Sequence, residues 1–236
     1  ILSYQPALFV EAGIVDAQGK AKAPETWEEM LDAAKKLTVD IDGDGKIDRY
    51  GMGWYACRIS DGVTQQWLPF HASYGAAFWD EKKWQAQGII NSPEAVQGCE
   101  MFTSFYKEGV VDPATATWFV SEILGAAFTD KFAMSFTWVS FAGAYDDPAV
   151  SQTAGKWAYA PFPCHVKADG TKKCAATYGS QGMGISAFSK QKDAAWEYMK
   201  WYMSSDIQKM LVDDKRAGFA SARVDLFDYQ MKPGTA

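Results

Sequence analysis

The sequence contains no apolar run approaching the ~18 to 20 residues that a helix needs to cross a bilayer, so no membrane-spanning helix is expected. It has no basic excess either. Lys and Arg total 23 against 29 Asp and Glu, and the resulting net charge of −6 argues against a nucleic-acid face, which would have to be positive. Histidine is scarce. His71 and His165 stand apart from each other and no C-x-x-C spacing occurs, so a zinc site is not expected. There is no nucleophile elbow, metalloprotease helix or phosphate loop, and both histidines read as surface or hydrogen-bonded structural residues rather than catalysts. The chain opens on Ile1 with no initiating methionine and no signal segment, and is expected to be processed or to form part of something longer. No linker, internal repeat or low-complexity tract interrupts the 236 residues, enough for one large domain or two small ones.

Cysteine is used sparingly, at 57, 99, 164 and 174. Cys164 and Cys174 bracket a segment centred on Asp169-Gly170, a strong hairpin-turn signal, and cross-strand neighbours at that spacing meet disulfide geometry. Cys57 and Cys99 are then left to pair with each other. Paired cysteines place the protein in an oxidising compartment, such as a periplasm or the extracellular space.

The helices are marked by their ends. Pro6 suits a first helical turn that Gly13 closes, with Leu8, Phe9 and Ala12 inward. Thr26 and Glu29 form a capping box ahead of Trp27, Met30, Leu31, Ala34 and Leu37 at helical spacing. A helix starts at Gln65-Gln66-Trp67 and ends near Tyr74-Gly75. Another opens at Ser92-Pro93, carries the stripe Ala95, Cys99, Phe102 and Tyr106, and closes at Gly109. Near the C-terminus, Asp193–Met203 reads as amphipathic with Ala195, Tyr198, Met199 and Tyr202 inward. A shorter helix from Ser205 carries Ile207, Met210 and Leu211.

Between the second helix and a strand at Tyr50–Tyr55 lies Asp40-Ile-Asp42-Gly-Asp44-Gly45-Lys46-Ile-Asp48. Carboxylates at loop positions one, three, five and nine, a glycine at six and the Lys46 carbonyl at seven match the first part of an EF-hand-type loop. A structural Ca2+ held by Asp40, Asp42, Asp44, Lys46 and Asp48 is therefore expected. The twelfth position is Gly51 rather than the bidentate Glu, however, and the alternative is a solvated Asp/Gly turn.

The most informative stretch is Phe128–Trp138. A helical run from Trp118 to Ala127 ends in a polar turn at Thr129-Asp130. A strand then alternates Phe132, Met134 and Phe136 with Ala133, Ser135 and Thr137. It delivers Trp138 to its C-terminal end, where open α/β sheets place their ligand crevices. The segment from Trp54 to Trp84 is rich in aromatics, among them Trp54 and Trp67. Clustered rings beside amides suit a carbohydrate site, because pyranose C–H faces stack on rings while hydroxyls need directional partners. With ten tryptophans in the chain, most must nevertheless pack in a core. A short strand at 157–163 leads to the cysteine hairpin. Beyond it, Tyr178-Gly179-Ser-Gln181-Gly182-Met-Gly184 is not a dinucleotide fingerprint, since the third glycine is missing. Its glycines suit close approach of the backbone to a ligand or another strand.

These segments, in this order, resemble the family 1 extracellular solute-binding proteins of ABC importers, the group that includes maltose-binding protein. The resemblance rests on Tyr4…Leu8-Phe9…Ala12-Gly13, Pro24-x-Thr26-Trp27-Glu28-Glu29…Ala33-Ala34-Lys35-Lys36-Leu37, Phe132-Ala133-Met134…Trp138, Tyr178…Gly182-x-Gly184-Ile185-Ser186 and Ala194-Ala195-Trp196…Met199. It implies an α/β, periplasmic binding protein-like (type II) fold of two lobes closing on a ligand. Here residues 1–175 would be the second (C-terminal) lobe, and 176–236 the hinge-crossing strand and helices returning to the first. It further implies that a first lobe precedes this chain. Carried over by position, Trp138 matches a stacking tryptophan, Trp67 lies near a stacking aromatic, and Tyr178, Gly179 and Gly182 fall on the crossing strand. Trp54 and Gln181 are added from local chemistry. The stretch Arg216–Arg223 departs from the family's late loop, which puts a ligand role for either arginine in doubt.

The leading expectation is a binding protein, expected to be monomeric. It would capture a neutral sugar, oligosaccharide or polyol and present it to the permease subunits of an ABC transporter, in the periplasm or at the cell surface, with lipid anchorage left open. One alternative is a carbohydrate-active enzyme, since acidic residues are abundant enough to supply a carboxylate pair. The other is a calcium-dependent interaction module resting on the Asp40–Asp48 loop.

Overall fold

The computed structural model describes residues 1–59, 62–177, 179, 181–214 and 219–230. Its main sheet has four strands, β1 (Leu2–Tyr4), β2 (Tyr50–Gly53), β3 (Phe132–Phe136) and β4 (Ala158–Ala160), in the order β2-β3-β1-β4. β2 runs parallel to β3, with Tyr50 opposite Phe132 and Met52 opposite Met134. β1 is antiparallel to both β3 and β4. All five residues of β3 are buried. The expected two-faced alternation gives way to a strand covered on both sides, as a central strand carrying an apolar run should be. Phe136 and Met134 join one buried cluster, while Phe132 packs with Trp157 in a second.

The first cluster is built by four helices. α1 (Pro6–Glu11) contributes Phe9, and Gly13 follows it in the left-handed region at φ +70°. α2 (Trp27–Leu37) is capped by Thr26, whose Oγ1 accepts the Glu29 N–H at 3.1 Å. The Glu29 carboxylate reaches one residue further back than expected and accepts the Glu25 N–H at 2.7 Å. Trp27 stacks on Phe70 with ring centroids 4.0 Å apart and donates its indole N–H to Ser73 Oγ at 2.8 Å. The ring is thereby buried without an orphaned donor. Phe70, His71 and Ser73 belong to α3 (Gly62–Tyr74), which packs on α4 (Pro93–Lys107).

The stripe expected on α4 is corrected in phase. Its buried residues are Ala95, Gly98, Phe102 and Phe105, with Cys99 exposed. Gly98 sets this phase. A Cβ there would stand 3.2 Å from the Phe70 carbonyl oxygen and 3.2 Å from His71 Cα, so the two helices approach along the glycine. One consequence is a second correction. Cys57 is buried at the exit of β2 while Cys99 faces solvent, and both are free thiols instead of a disulfide.

The second cluster gathers Tyr55, Phe132, Tyr145 and Trp157 with Ile123, Ala126 and Ala127 of α5 (Val120–Phe128). Tyr145 closes α6 (Ala142–Tyr145). Its hydroxyl lies 3.1 Å from Ser135 Oγ, and burial pushes its pKa above the usual phenol value. The polar turn before β3 forms as expected. Asp130 takes a left-handed conformation at φ +59° and accepts a 2.6 Å hydrogen bond from Gln5 Nε2.

Cys164 and Cys174 are joined by a disulfide across a hairpin of β5 (Cys164–Val166) and β6 (Lys172–Cys174), with Gly170 at φ +82° in the turn. Beyond it come α7 (Lys192–Tyr202), α8 (Ser205–Asp213) and α9 (Phe227–Gln230). They are tied to one another by Ser221 Oγ donating to Gln208 Oε1 at 2.8 Å and Arg223 Nη1 donating to the Met203 carbonyl at 2.6 Å. The inward faces expected here are covered only in part: Ala195, Met199 and Tyr202 of α7 and Ile207 and Leu211 of α8 are half-buried, and Tyr202 meets the Phe219 ring edge-on. α7 buries none of its residues, and Trp196, Tyr198 and Trp201 each stay about half exposed, as does Met210 of α8.

Gly51 yields the sharpest stability test. β2 crosses α2 so closely that a Cβ on Gly51 would overlap the Ala34 carbonyl oxygen, a backbone atom that cannot swing aside. Gly51→Ala is expected to destabilise the protein by about 2 kcal/mol or more, read as a drop in denaturant midpoint at unchanged slope.

Candidate functional site

The parallel strands β2 and β3 end side by side, and the residues just past their C-terminal ends form one edge of the molecule. β3 hands on to Thr137 and Trp138, after which a 3-10 turn (Val139–Phe141) carries the chain away. Trp138 is half-buried. Its indole N–H donates to the Tyr55 hydroxyl at 3.2 Å. Tyr55 is itself buried and meets the Phe119 ring edge-on, with centroids 5.6 Å apart. The indole is therefore held at one edge by a hydrogen bond to a fixed phenol, which restricts its rotation.

Gly179 lies against the same indole. A Cβ at this position would overlap Cη2 and Cζ3 of Trp138, so only glycine lets the backbone pass this close. Two residues earlier, Thr177 Oγ1 donates to the Gln65 carbonyl at 2.8 Å and ties the passing segment to the first turns of α3. That end of α3 is itself stitched to the exit of β2, where Val63 N–H donates to the Cys57 carbonyl at 3.1 Å. Tyr55, Gln65, Trp138, Thr177 and Gly179 thus meet on one edge, and none of them carries a charge.

The remaining expected site residues fall in different places. Trp54 is corrected to a core residue. It is fully buried, stacks on Phe102 at 4.8 Å and donates its indole N–H to Tyr106 Oη at 2.7 Å. The reason is the alternation of an extended chain: consecutive side chains point to opposite sides, so Trp54 enters the first cluster and Tyr55 the second. Tyr55 is thus the residue that meets Trp138 at this edge, and the parity of the extended chain leaving β2 is the sequence signal that points to it. Trp67 is half-buried on α3 and packs against His71 at 4.5 Å and Phe78 at 6.1 Å. Its N–H finds no partner among the described residues. His71, buried beside it, has its pKa lowered by that burial and stays neutral near neutral pH. Gln181 and Gly182 are exposed, and a Cβ on Gly182 would meet no atom within 4 Å. Tyr178 and Arg216 lie outside the described residues. Arg223 is committed to Asp225, at 2.8 Å, and to the Met203 carbonyl, contacts that hold the C-terminal helices together.

The acidic loop is partly convergent. Carboxylate oxygens of Asp40, Asp42 and Asp48 lie within 4.8 Å of one another. Asp44 does not join them. Its carboxylate pairs with Lys46 Nζ at 3.0 Å. The loop also satisfies its own backbone, since Asp40 accepts the Gly43 and Gly45 N–H groups at 2.7 and 2.8 Å and Asp48 accepts that of Ile41 at 2.7 Å. The glutamate missing at the twelfth position has a physical explanation in Gly51, where the approach to α2 forbids any side chain.

The bacterial extracellular solute-binding protein family matches residues 1–209. A probable amino-acid ABC transporter periplasmic-binding protein of Sinorhizobium fredii is 26% identical over 192 residues, covering 80% of this chain and 39% of the relative. Among solved structures, an ABC transporter solute-binding protein from Agrobacterium radiobacter in complex with ribitol superposes with a TM-score of 0.74 at 27% identity, over 97% of this chain and 54% of that one. The maltose-bound MalE3 of T. maritima superposes with a TM-score of 0.76 at 25% identity, over 95% and 52%. The chain therefore spans about half the length of these structures and less of the curated relative. With the matched region running from the first strand into α8, this chain belongs to the bacterial extracellular solute-binding protein family.

Proposed function

We propose that this chain is part of the substrate-binding subunit of an ABC importer, which captures a neutral sugar, oligosaccharide or polyol and delivers it unchanged to the membrane permease. The observation that carries this reading is Trp138, an indole fixed by Tyr55 and crossed by Gly179 at the C-terminal edge of the sheet, among uncharged groups. A flat ring beside hydroxyl and carbonyl groups suits a ligand with C–H faces and many hydroxyls. The ligands of the ribitol- and maltose-bound relatives have that chemistry. The name of the Sinorhizobium relative favours a second reading, an amino acid. Such a ligand would need fixed partners for an ammonium and a carboxylate, and the five residues meeting at this edge supply no charged group. Residues 1–175 would form the second lobe and 176–236 the return toward the first, which accounts for the half-exposed aromatic rings of α7. The protein works outside the cytoplasm, in a periplasm or at the cell surface, and no helix among the described residues is long and apolar enough to cross a membrane.

A calorimetric titration of the full-length protein against neutral mono-, di- and oligosaccharides, polyols and amino acids, with mass analysis of each ligand afterwards, tests this reading. Tight binding of a sugar or polyol recovered intact supports it, whereas a chemically altered ligand would show an enzyme. Trp138→Ala is expected to weaken binding about 10- to 100-fold, the loss of one stacked ring and its anchoring. Trp54→Phe is expected to lower the melting temperature while leaving the Kd within about twofold, because it acts on the core alone.

The acidic loop is proposed to hold one structural Ca2+ through Asp40, Asp42 and Asp48, with the Lys46 carbonyl, at the seventh loop position, and water completing the shell. Calcium at about 5 mM, above the affinity range of extracellular calcium modules, should raise the melting temperature. The rise should vanish in Asp40→Asn/Asp42→Asn, and chelation should leave sugar affinity unchanged. A melting temperature indifferent to calcium contradicts the ion. Sugar binding abolished by chelation would instead support a calcium-dependent interaction module.

A further inference from the structure

We propose that the Cys164–Cys174 disulfide is a positioning element for the ligand site, fixing where the crossing segment enters the cleft. The inference rests on the reading above and adds the device that orders one wall of that site. Both strands of the hairpin run beside α3, and β5 has further ties that β6 lacks. β5 is anchored to the body of the lobe: the Cys164 N–H donates to the Glu25 carbonyl at 2.8 Å, Thr26 bridges to Cys164, and the His165 ring stacks on Tyr74 with centroids 3.8 Å apart. β6 is exposed at all three residues, and among the described residues its strand partner is β5 alone. The ion pair of Lys172 with Glu25 at 2.6 Å lies between half-exposed side chains and holds it weakly.

An isolated two-stranded hairpin is marginal in water. The disulfide therefore carries the rigid attachment of β5 across to β6. It does so at the open end of the hairpin, away from the turn, where Cys164 and Cys174 are directly paired. Cys174 is also the last residue of β6. Three residues on, Thr177 bonds the Gln65 carbonyl, and two beyond that Gly179 crosses the Trp138 indole. Three residues span at most about 10 Å when extended, so fixing Cys174 confines Thr177 to a small volume over α3. Without the bond, ligand binding must also order this segment, and affinity falls by that cost.

The test compares the full-length protein with its Cys164→Ser/Cys174→Ser and Thr177→Val variants. Amide hydrogen exchange is followed in the ligand-free state, and the Kd is measured for ribitol and maltose well below each melting temperature. A positioning role predicts exchange at residues 175–177 at least about tenfold faster in the double-serine variant, with β3 amides unchanged. It also predicts a Kd raised about tenfold in that variant and about threefold in Thr177→Val, which keeps the disulfide. A purely structural staple predicts a lower melting temperature with the Kd and the exchange at 175–177 unchanged, and that result would overturn the proposal. If the double-serine variant does not fold, wild-type protein whose disulfide has been reduced under native conditions takes its place, and unchanged exchange at 175–177 and unchanged Kd on reduction overturn the proposal. If the wild-type protein binds neither ribitol nor maltose, the choice of sugar or polyol fails, and the exchange pattern still decides the role of the disulfide.

Discussion

The candidate site depends on the parallel pairing of β2 with β3. Two adjacent parallel strands end on the same side, so the residues that leave them are neighbours although they lie about eighty positions apart in the chain. Tyr55 and Trp138 are those residues, and the hydrogen bond between them turns a shared sheet edge into a ring of defined orientation. Whatever shifts this pairing moves the site. That is why Gly51 matters at a distance: it sets how closely β2 lies on α2, and through β2 it sets where Tyr55 stands.

Much of this was legible in the sequence, because it follows from local rules. Caps at Thr26 and Ser92, glycines closing helices, the turn at Asp169-Gly170 and the strand before Trp138 are each written in a few adjacent residues. The cysteine hairpin is of this kind, since Cys164 and Cys174 face each other across one turn. The errors lie where a long-range approach decides. The phase of α4 follows from Gly98 meeting α3, and once that phase is set Cys99 faces solvent and cannot meet Cys57. Trp54 reads as a site residue because it is aromatic and nearby in sequence. Its neighbour Tyr55 occupies the site because of strand parity, which depends on knowing where β2 begins and which face is covered. Thr177 and Gln65 carry no sequence signal at all, since their contact joins a hydroxyl to a backbone carbonyl 112 residues away.

The C-terminal helices tell the same story from the other side. Periodicity marks an inward face on α7, and the helix forms there, yet that face is only half-buried and Tyr198 stays exposed. Amphipathic spacing predicts that a face will be buried, but not against what. Trp196, Tyr198 and Trp201 stay about half exposed, and clustered exposed aromatic surface of this kind marks a contact face.

The central claim is that ligand is held at the edge where β2 and β3 end. A crystal structure of the full-length protein with the sugar or polyol it binds most tightly tests this most directly. The account predicts ligand carbons within about 4 Å of the Trp138 ring, and ligand hydroxyls within hydrogen-bond reach of the segment that follows Thr177. A ligand seated elsewhere, with the Trp138–Tyr55 edge facing only solvent or protein, would contradict it.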